Sequence, residues 1–174
     1  MFNIIKVTHK LSWLVIATSL AGCGAETSPP AVGVSLAPVV LSALDGNTVA
    51  FSQFSGKVLV VNFWATWCAP CREEMPALQA LSEQLDPERY QVIGISVDQD
   101  LNLVREFVLK YELRFLQLTD SSMAVASDLL GVGAFPQTLI VDGQGRVKLS
   151  IVGSQSWDQP TYFQPLLKAA GVSR

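Results

Sequence analysis

At 174 residues, 49% of them hydrophobic, the chain can build one domain with a sizeable core and still carry a leader. Its formal net charge is −3, and setting aside Lys6 and Lys10 leaves 10 basic against 15 acidic residues, or about −5. That balance excludes the clustered basic footprint of nucleic-acid-binding proteins and the polybasic patch that binds anionic lipid.

The first ten residues carry Lys6 and Lys10, and residues 11–20 are apolar apart from small hydroxyl side chains. This run is too short for a bilayer core, which takes about 20 residues, but it has the length of a secretory signal's apolar region. An ordinary buried helix would share the composition, yet it would not explain the Leu20-Ala21-Gly22-Cys23 that follows. That tetrapeptide resembles the lipobox of bacterial lipoproteins, in which the cysteine becomes the acylated N-terminus. The resemblance implies a signal peptide over 1–22 and lipidation of Cys23, with stable anchoring because each buried methylene contributes about 0.8 kcal/mol. Residues 24–35 contain Gly, Ala, Ser and Pro29-Pro30 without a periodic apolar face. They predict a flexible tether with an rms reach of roughly 20 Å, and a folded domain over 36–174.

Within that domain, Val39-Val40-Leu41 and Val49-Ala50-Phe51 flank Asp45-Gly46-Asn47 and predict a hairpin. Gly56 turns the chain into residues 58–64, a Val- and Phe-rich run suited to a buried strand. Trp67-Cys68-Ala69-Pro70-Cys71 comes next, and then Met75, Leu78, Leu81 and Leu85 at helical spacing, with Pro76 expected to kink that helix. The pattern continues with a strand over 91–97, a helix over 101–111, a strand over 115–118 and a helix over 123–130. A strand over 138–141 turns at Asp142-Gly143-Gln144-Gly145 into a strand over 147–152, and a last helix covers 161–170. Strand–helix alternation closed by a hairpin and a helix predicts an α/β fold with a mixed sheet.

Two cysteines three residues apart at a strand-to-helix turn lie on one helix face, so their sulfurs can close a disulfide. Cys68 falls at the first turn, where unpaired N–H groups and the helix dipole favour thiolate. Cys68 is therefore expected to be the exposed attacking sulfur and Cys71 the buried resolving one. The same spacing could be half of a zinc site, but that needs more ligands, and the only other Cys and the only His are Cys23 and His9. No metal and no cofactor beyond the Cys68–Cys71 pair is expected, and Met75 reads as core rather than as a copper ligand.

Over 36–171 the chain resembles the TlpA/ResA-like, DsbE/CcmG-related, membrane-tethered branch of the thioredoxin-fold thiol-disulfide oxidoreductases. The residues that carry this are Gly56-Lys57, the block Val61-Asn62-Phe63-Trp64-Ala65-Thr66-Trp67-Cys68-Ala69-Pro70-Cys71-Arg72-Glu73-Glu74-Met75-Pro76, and Phe135-Pro136-Gln137-Thr138. The resemblance implies a thioredoxin fold: a central sheet of four or five strands flanked by helices, with an N-terminal hairpin and a helical insertion near 101–111. It implies a cis Pro136 facing the cysteines, where a trans proline opening an edge strand is the alternative. Trp67, Ala69, Pro70, Phe135 and Pro136 would then form the substrate-binding face, with Phe135 and Pro136 offering backbone for strand-like pairing. Thioredoxin's buried aspartate is replaced here by Asn62, and its lysine on the following strand is missing. The branch instead carries an acid at Glu74, which on a helix shares a face with Cys71 and could exchange a proton with it. A surface glutamate stabilised by the helix dipole is the alternative.

The expected activity is thiol–disulfide exchange in the cell envelope, on the periplasmic side, by a lipid-anchored monomer. By resemblance the usual task is reduction of exported proteins, such as apocytochrome c during cytochrome c biogenesis or metal-site assembly proteins. A DsbD/CcdA-type membrane protein would be the electron donor. A DsbA-like oxidase is the alternative enzyme, against which stands the lack of a histidine between the cysteines. A non-catalytic tethered chaperone or metal-delivery module is the alternative outside enzymes.

Overall fold

The computed structural model describes residues 32–170. The predicted leader, Cys23 and most of the predicted tether lie outside them, as do residues 171–174. Seven strands form one mixed sheet: β1 (Val40–Ala43), β2 (Thr48–Ala50), β3 (Val58–Trp64), β4 (Tyr90–Ser96), β5 (Leu116–Thr119), β6 (Gln137–Val141) and β7 (Val147–Val152). Their spatial order is β2-β1-β5-β4-β3-β6-β7. Three helices, α1 (Ala69–Gln84), α2 (Leu101–Lys110) and α3 (Pro160–Ala169), connect or close the strands. A 3-10 turn covers Phe51–Phe54. Among the described residues no helix is long and apolar enough to cross a membrane.

Five strands, β3 to β7, make up the central sheet that the resemblance implies, and the N-terminal hairpin adds two more. The inserted segment supplies a strand as well as a helix. β5 runs parallel to β4, and the N-terminal hairpin docks antiparallel on β5 through Ser42–Thr119 and Ala43–Leu118, so all seven strands merge. The segment before Leu36 also differs from a free tether. Gly33 donates to the carbonyl of Val147 at 2.8 Å, Val147 donates to that of Val34 at 3.0 Å, and Ser35 bridges Arg146. These bonds bring Leu36 into the core and cover the start of β7, which is otherwise an edge strand.

Every residue of β3 is buried, which explains its unbroken apolar run: it lies between β4, parallel, and β6, antiparallel. The antiparallel pairing has a consequence for function. Phe63, near the end of β3, pairs with Gln137 at the start of β6, and Gln137 pairs with Val152 at the end of β7. The cysteines that follow β3, the proline that precedes β6 and the loop that follows β7 therefore meet at one end of the sheet.

Helix α1 buries Cys71, Glu74, Met75, Leu78 and Leu81 along one face. It continues through Pro76, whose missing N–H would have met the carbonyl four residues back. The predicted helix over 123–130 is instead π-helical over Ala124–Leu129, behind Met123 at φ 60°. The buried Asp120 carboxylate accepts from the N–H groups of Val125 and Ala126 at 3.0 and 2.7 Å, which holds the start of this segment.

Candidate active site

Cys68 is the N-cap of α1, and Pro70 sits in the first turn, where an absent N–H leaves no intrahelical bond unmade. The two sulfurs are bonded at 2.06 Å, with 5.3 Å between the Cα atoms. The N–H of Cys71 also points at Cys68 Sγ, at 3.3 Å, so the helix start places a donor on that sulfur, an environment that favours negative charge. Cys71 is 0% exposed and Cys68 7%. Cys68 is thus less open than expected, with its sulfur bonded to that of Cys71, but it is the one residue of the pair with any accessible surface. Ala69 and Pro70 beside it are exposed, and Trp67 is 64% exposed.

The turn that presents these residues is fixed from β4. The buried Asp98 carboxylate accepts from the Thr66 N–H at 2.9 Å, the Thr66 hydroxyl at 2.6 Å and the Ser96 hydroxyl at 2.8 Å. Arg72 donates to the Thr66 carbonyl at 2.8 Å. Asp98 could be noticed in the sequence only as the acid that ends a strand; its role comes from the parallel pairing of β3 with β4, which brings the two strand ends together.

The Phe135–Pro136 bond is cis. The Phe135 ring meets Trp67 edge-on, with centroids 5.9 Å apart. Pro136 does not offer its carbonyl outward, because that oxygen accepts from the Gly153 N–H at 2.8 Å. The N–H and C=O of Phe135 have no hydrogen-bond partner among the described residues. The backbone of Phe135 is therefore free beside the cysteines, while the carbonyl of Pro136 is already engaged.

Glu74 is 1% exposed and not a surface residue, whereas Glu73 is exposed. Burial pushes its carboxyl up from 4.5 to about 7, against the pull of three donors. These are the Trp157 indole N–H on Oε1, the Gln155 N–H on Oε1 at 3.1 Å, and Asn62 Nδ2 on Oε2 at 3.3 Å. Asn62, where thioredoxin has its acid, is itself buried and donates to Thr138 Oγ1 at 2.9 Å, its cross-strand neighbour. Burial, with the Glu74 charge adding to it, raises the pKa of Tyr162, which stacks edge-on with Trp157. Nothing local in the sequence links Gln155 or Trp157 to Glu74, about eighty positions earlier; the antiparallel strands bring them together. Trp64 is fully buried, donates to Gln117 at 3.1 Å and packs on Phe107, while Met75 is core as expected. A groove between the end of α1 and α3 contains none of these residues.

Residues 32–150 match the AhpC/TSA family. The chain belongs to that family. Within it, the chain is 30% identical over 149 residues to thiol-disulfide oxidoreductase ResA of Bacillus thuringiensis (strain Al Hakam), which covers 86% of both chains. The structure superposes on a thiol:disulfide interchange protein DsbE from Chlorobium tepidum with a TM-score of 0.71 and 27% identity, over 80% of this chain and 97% of the other. It also superposes on MTB dsbF, solved in mixed oxidized and reduced forms, with a TM-score of 0.66 and 27% identity over 80% and 97% of the two chains. The thioredoxin fold and the ResA- and DsbE-like character expected from the sequence are both borne out. The site of this AhpC/TSA family member is that of a thiol-disulfide oxidoreductase, and its redox group is the Cys68–Cys71 disulfide.

Proposed function

We propose that this protein reduces disulfides of exported proteins in the bacterial envelope. The observation that carries the reading is a bonded cysteine pair at a helix start, of which only Cys68 reaches the surface, beside the free backbone of Phe135. In the dithiol form, Cys68 thiolate attacks one sulfur of a substrate disulfide, giving a mixed disulfide and a substrate thiolate that takes up a proton. Cys71 then loses its proton to the Glu74 carboxylate and attacks Cys68, so the second substrate sulfur leaves and the protein is left oxidised. Two electrons pass to the substrate, and a second dithiol, of the DsbD/CcdA class, must return them.

Glu74 suits this role because a group titrating near neutrality can both take and return a proton. Trp67, Ala69, Pro70, Phe135 and Pro136 form the substrate face, and an extended segment pairs with Phe135. Apocytochrome c and metal-site assembly proteins are the substrates this reading favours, on the resemblance carried by the block from Val61 to Pro76. The lipobox-like Leu20-Ala21-Gly22-Cys23 supports attachment to the membrane through Cys23, with the domain working as a monomer on the periplasmic side. Labelled fatty acid should enter the wild type and not Cys23→Ala; equal labelling would remove the anchor.

The deciding experiment uses two variants in native cells. Cys71→Ser should accumulate a mixed disulfide with the substrate, identifiable by mass spectrometry, and Cys68→Ser should lose all reductase activity. Retained turnover in Cys68→Ser would end the assignment. A reduction potential more oxidising than about −150 mV would reverse the direction to that of an oxidase.

A further inference from the structure

The geometry points to Asn62 as a positioning residue that serves both protonation states of Glu74 by turning its side-chain amide, with the Thr138 hydroxyl reversing in step. The inference rests on the reading that Glu74 takes and returns the Cys71 proton. All three partners of Glu74 are donors: the Trp157 indole N–H, the Gln155 N–H and Asn62 Nδ2. None can accept, so the cage suits a carboxylate. A neutral carboxyl brings an O–H, and at 1% exposure that hydrogen has to find an acceptor inside the protein.

One buried acceptor is idle beside it. Asn62 is 0% exposed, and its Oδ1 has no hydrogen-bond partner. A half-turn of the amide exchanges Oδ1 and Nδ2 within nearly the same volume. Oδ1 then accepts from Glu74 Oε2–H. Thr138 Oγ1, which accepts from Nδ2 in the present orientation, donates to Oδ1 in the other, because a hydroxyl can do either. Each orientation leaves one amide atom unpartnered, Oδ1 in the first and Nδ2 in the second. Asn62 therefore favours neither orientation by itself, and the proton on Glu74 decides. An aspartate here would set a second carboxylate against Glu74, and an aliphatic residue would answer neither state.

Few other titrating groups face Glu74. Cys71 lies one turn earlier on α1, and Tyr162 on α3 has its pKa raised by burial and by the Glu74 charge. Asn62 and Thr138 from β3 and β6 are neutral, and Asp158, in the loop that carries Gln155 and Trp157, is exposed. In the disulfide form the cysteines do not titrate, so a change at Asn62 that shares its midpoint with the Glu74 carboxyl carbon belongs to Glu74.

The test is NMR of the full chain in its disulfide form between roughly pH 5 and 9, following the Asn62 side-chain amide and the Glu74 carboxyl carbon together. The expected result is one shared midpoint, with the Asn62 amide protons moving upfield as Glu74 protonates, and a flat Asn62 signal in Glu74→Gln. A titrating Glu74 with a still Asn62, or with an Asn62 midpoint of its own, overturns the amide turn and leaves the proton role of Glu74 standing. A Glu74 carbon that does not titrate ends both.

Discussion

The indole N–H of Trp157 is directed at Oε1 of Glu74, so the loop after β7 holds the acid that lies one turn beyond the buried sulfur. Trp157 is fully buried and its bond lowers the pKa that burial raises. Trp157→Phe keeps an aromatic ring and removes the donor. The Glu74 titration should then move above that of the wild type, and the pH profile of thiol alkylation in the reduced protein should move the same way. A smaller ring and a lost hydrogen bond should together cost about 1–3 kcal/mol in urea unfolding. An unchanged alkylation profile with lowered stability would make Trp157 a packing residue only.

Glu74 should make the oxidised protein less stable as pH rises. Its carboxyl titrates at about 7 when folded, against 4.5 as a free side chain, so between those values the native state binds a proton that the unfolded chain has released. Stability falls with pH wherever the native state binds more protons, and a shift of this size is worth about 3 kcal/mol. Below about pH 4.5 the group is neutral in both states and imposes no penalty. Glu74→Gln stays neutral throughout. Denaturant unfolding of the disulfide forms at acid and at alkaline pH should show the variant gaining on the wild type as pH increases. A constant gap would mean that the folded carboxyl titrates like a free one.

Asp98 anchors the Thr66 N–H and hydroxyl and the Ser96 hydroxyl, and through Thr66 it fixes the turn before Cys68. Asp98→Ala leaves these donors without their acceptor and should lower stability by about 3 kcal/mol. Disulfide exchange should slow as well, because the turn that sets Cys68 at the helix start loses its support. Stopped-flow reduction of a model disulfide, measured beside thermal unfolding, separates the two effects. Lower stability with an unaltered exchange rate would confine Asp98 to the fold.

The parts that were legible in the sequence are those written in local pattern. β3 shows as an unbroken apolar run because both its faces are covered, and α1 shows as a three-to-four-residue repeat because one face is buried. The Cys68–Cys71 pair needs only helical spacing, and the cis Pro136 came with the family block. The donors on Glu74 were out of reach because Trp157 and Gln155 are brought to it by two antiparallel pairings, and no periodicity encodes which distant loop will arrive. β5 itself shows as a short apolar run, but its place between the hairpin and β4 is a tertiary pairing that the run does not encode. The π-helical stretch after Met123 answers to the Asp120 carboxylate, a tertiary cause that helix propensity does not contain. Gly33 to Ser35 look like tether in composition, because they pair through backbone atoms, which leave no mark on side-chain composition.

That pairing also gives the molecule a direction. Ser35 joins at Arg146, beside the first residue of β7, whereas the cysteines lie beyond its last, and six residues of strand span about 20 Å. The backbone is thus gripped at one pole and the sulfur presented at the other. A domain held from its N-terminal side would carry its reactive tip facing away from the holding surface, turned toward whatever drifts past.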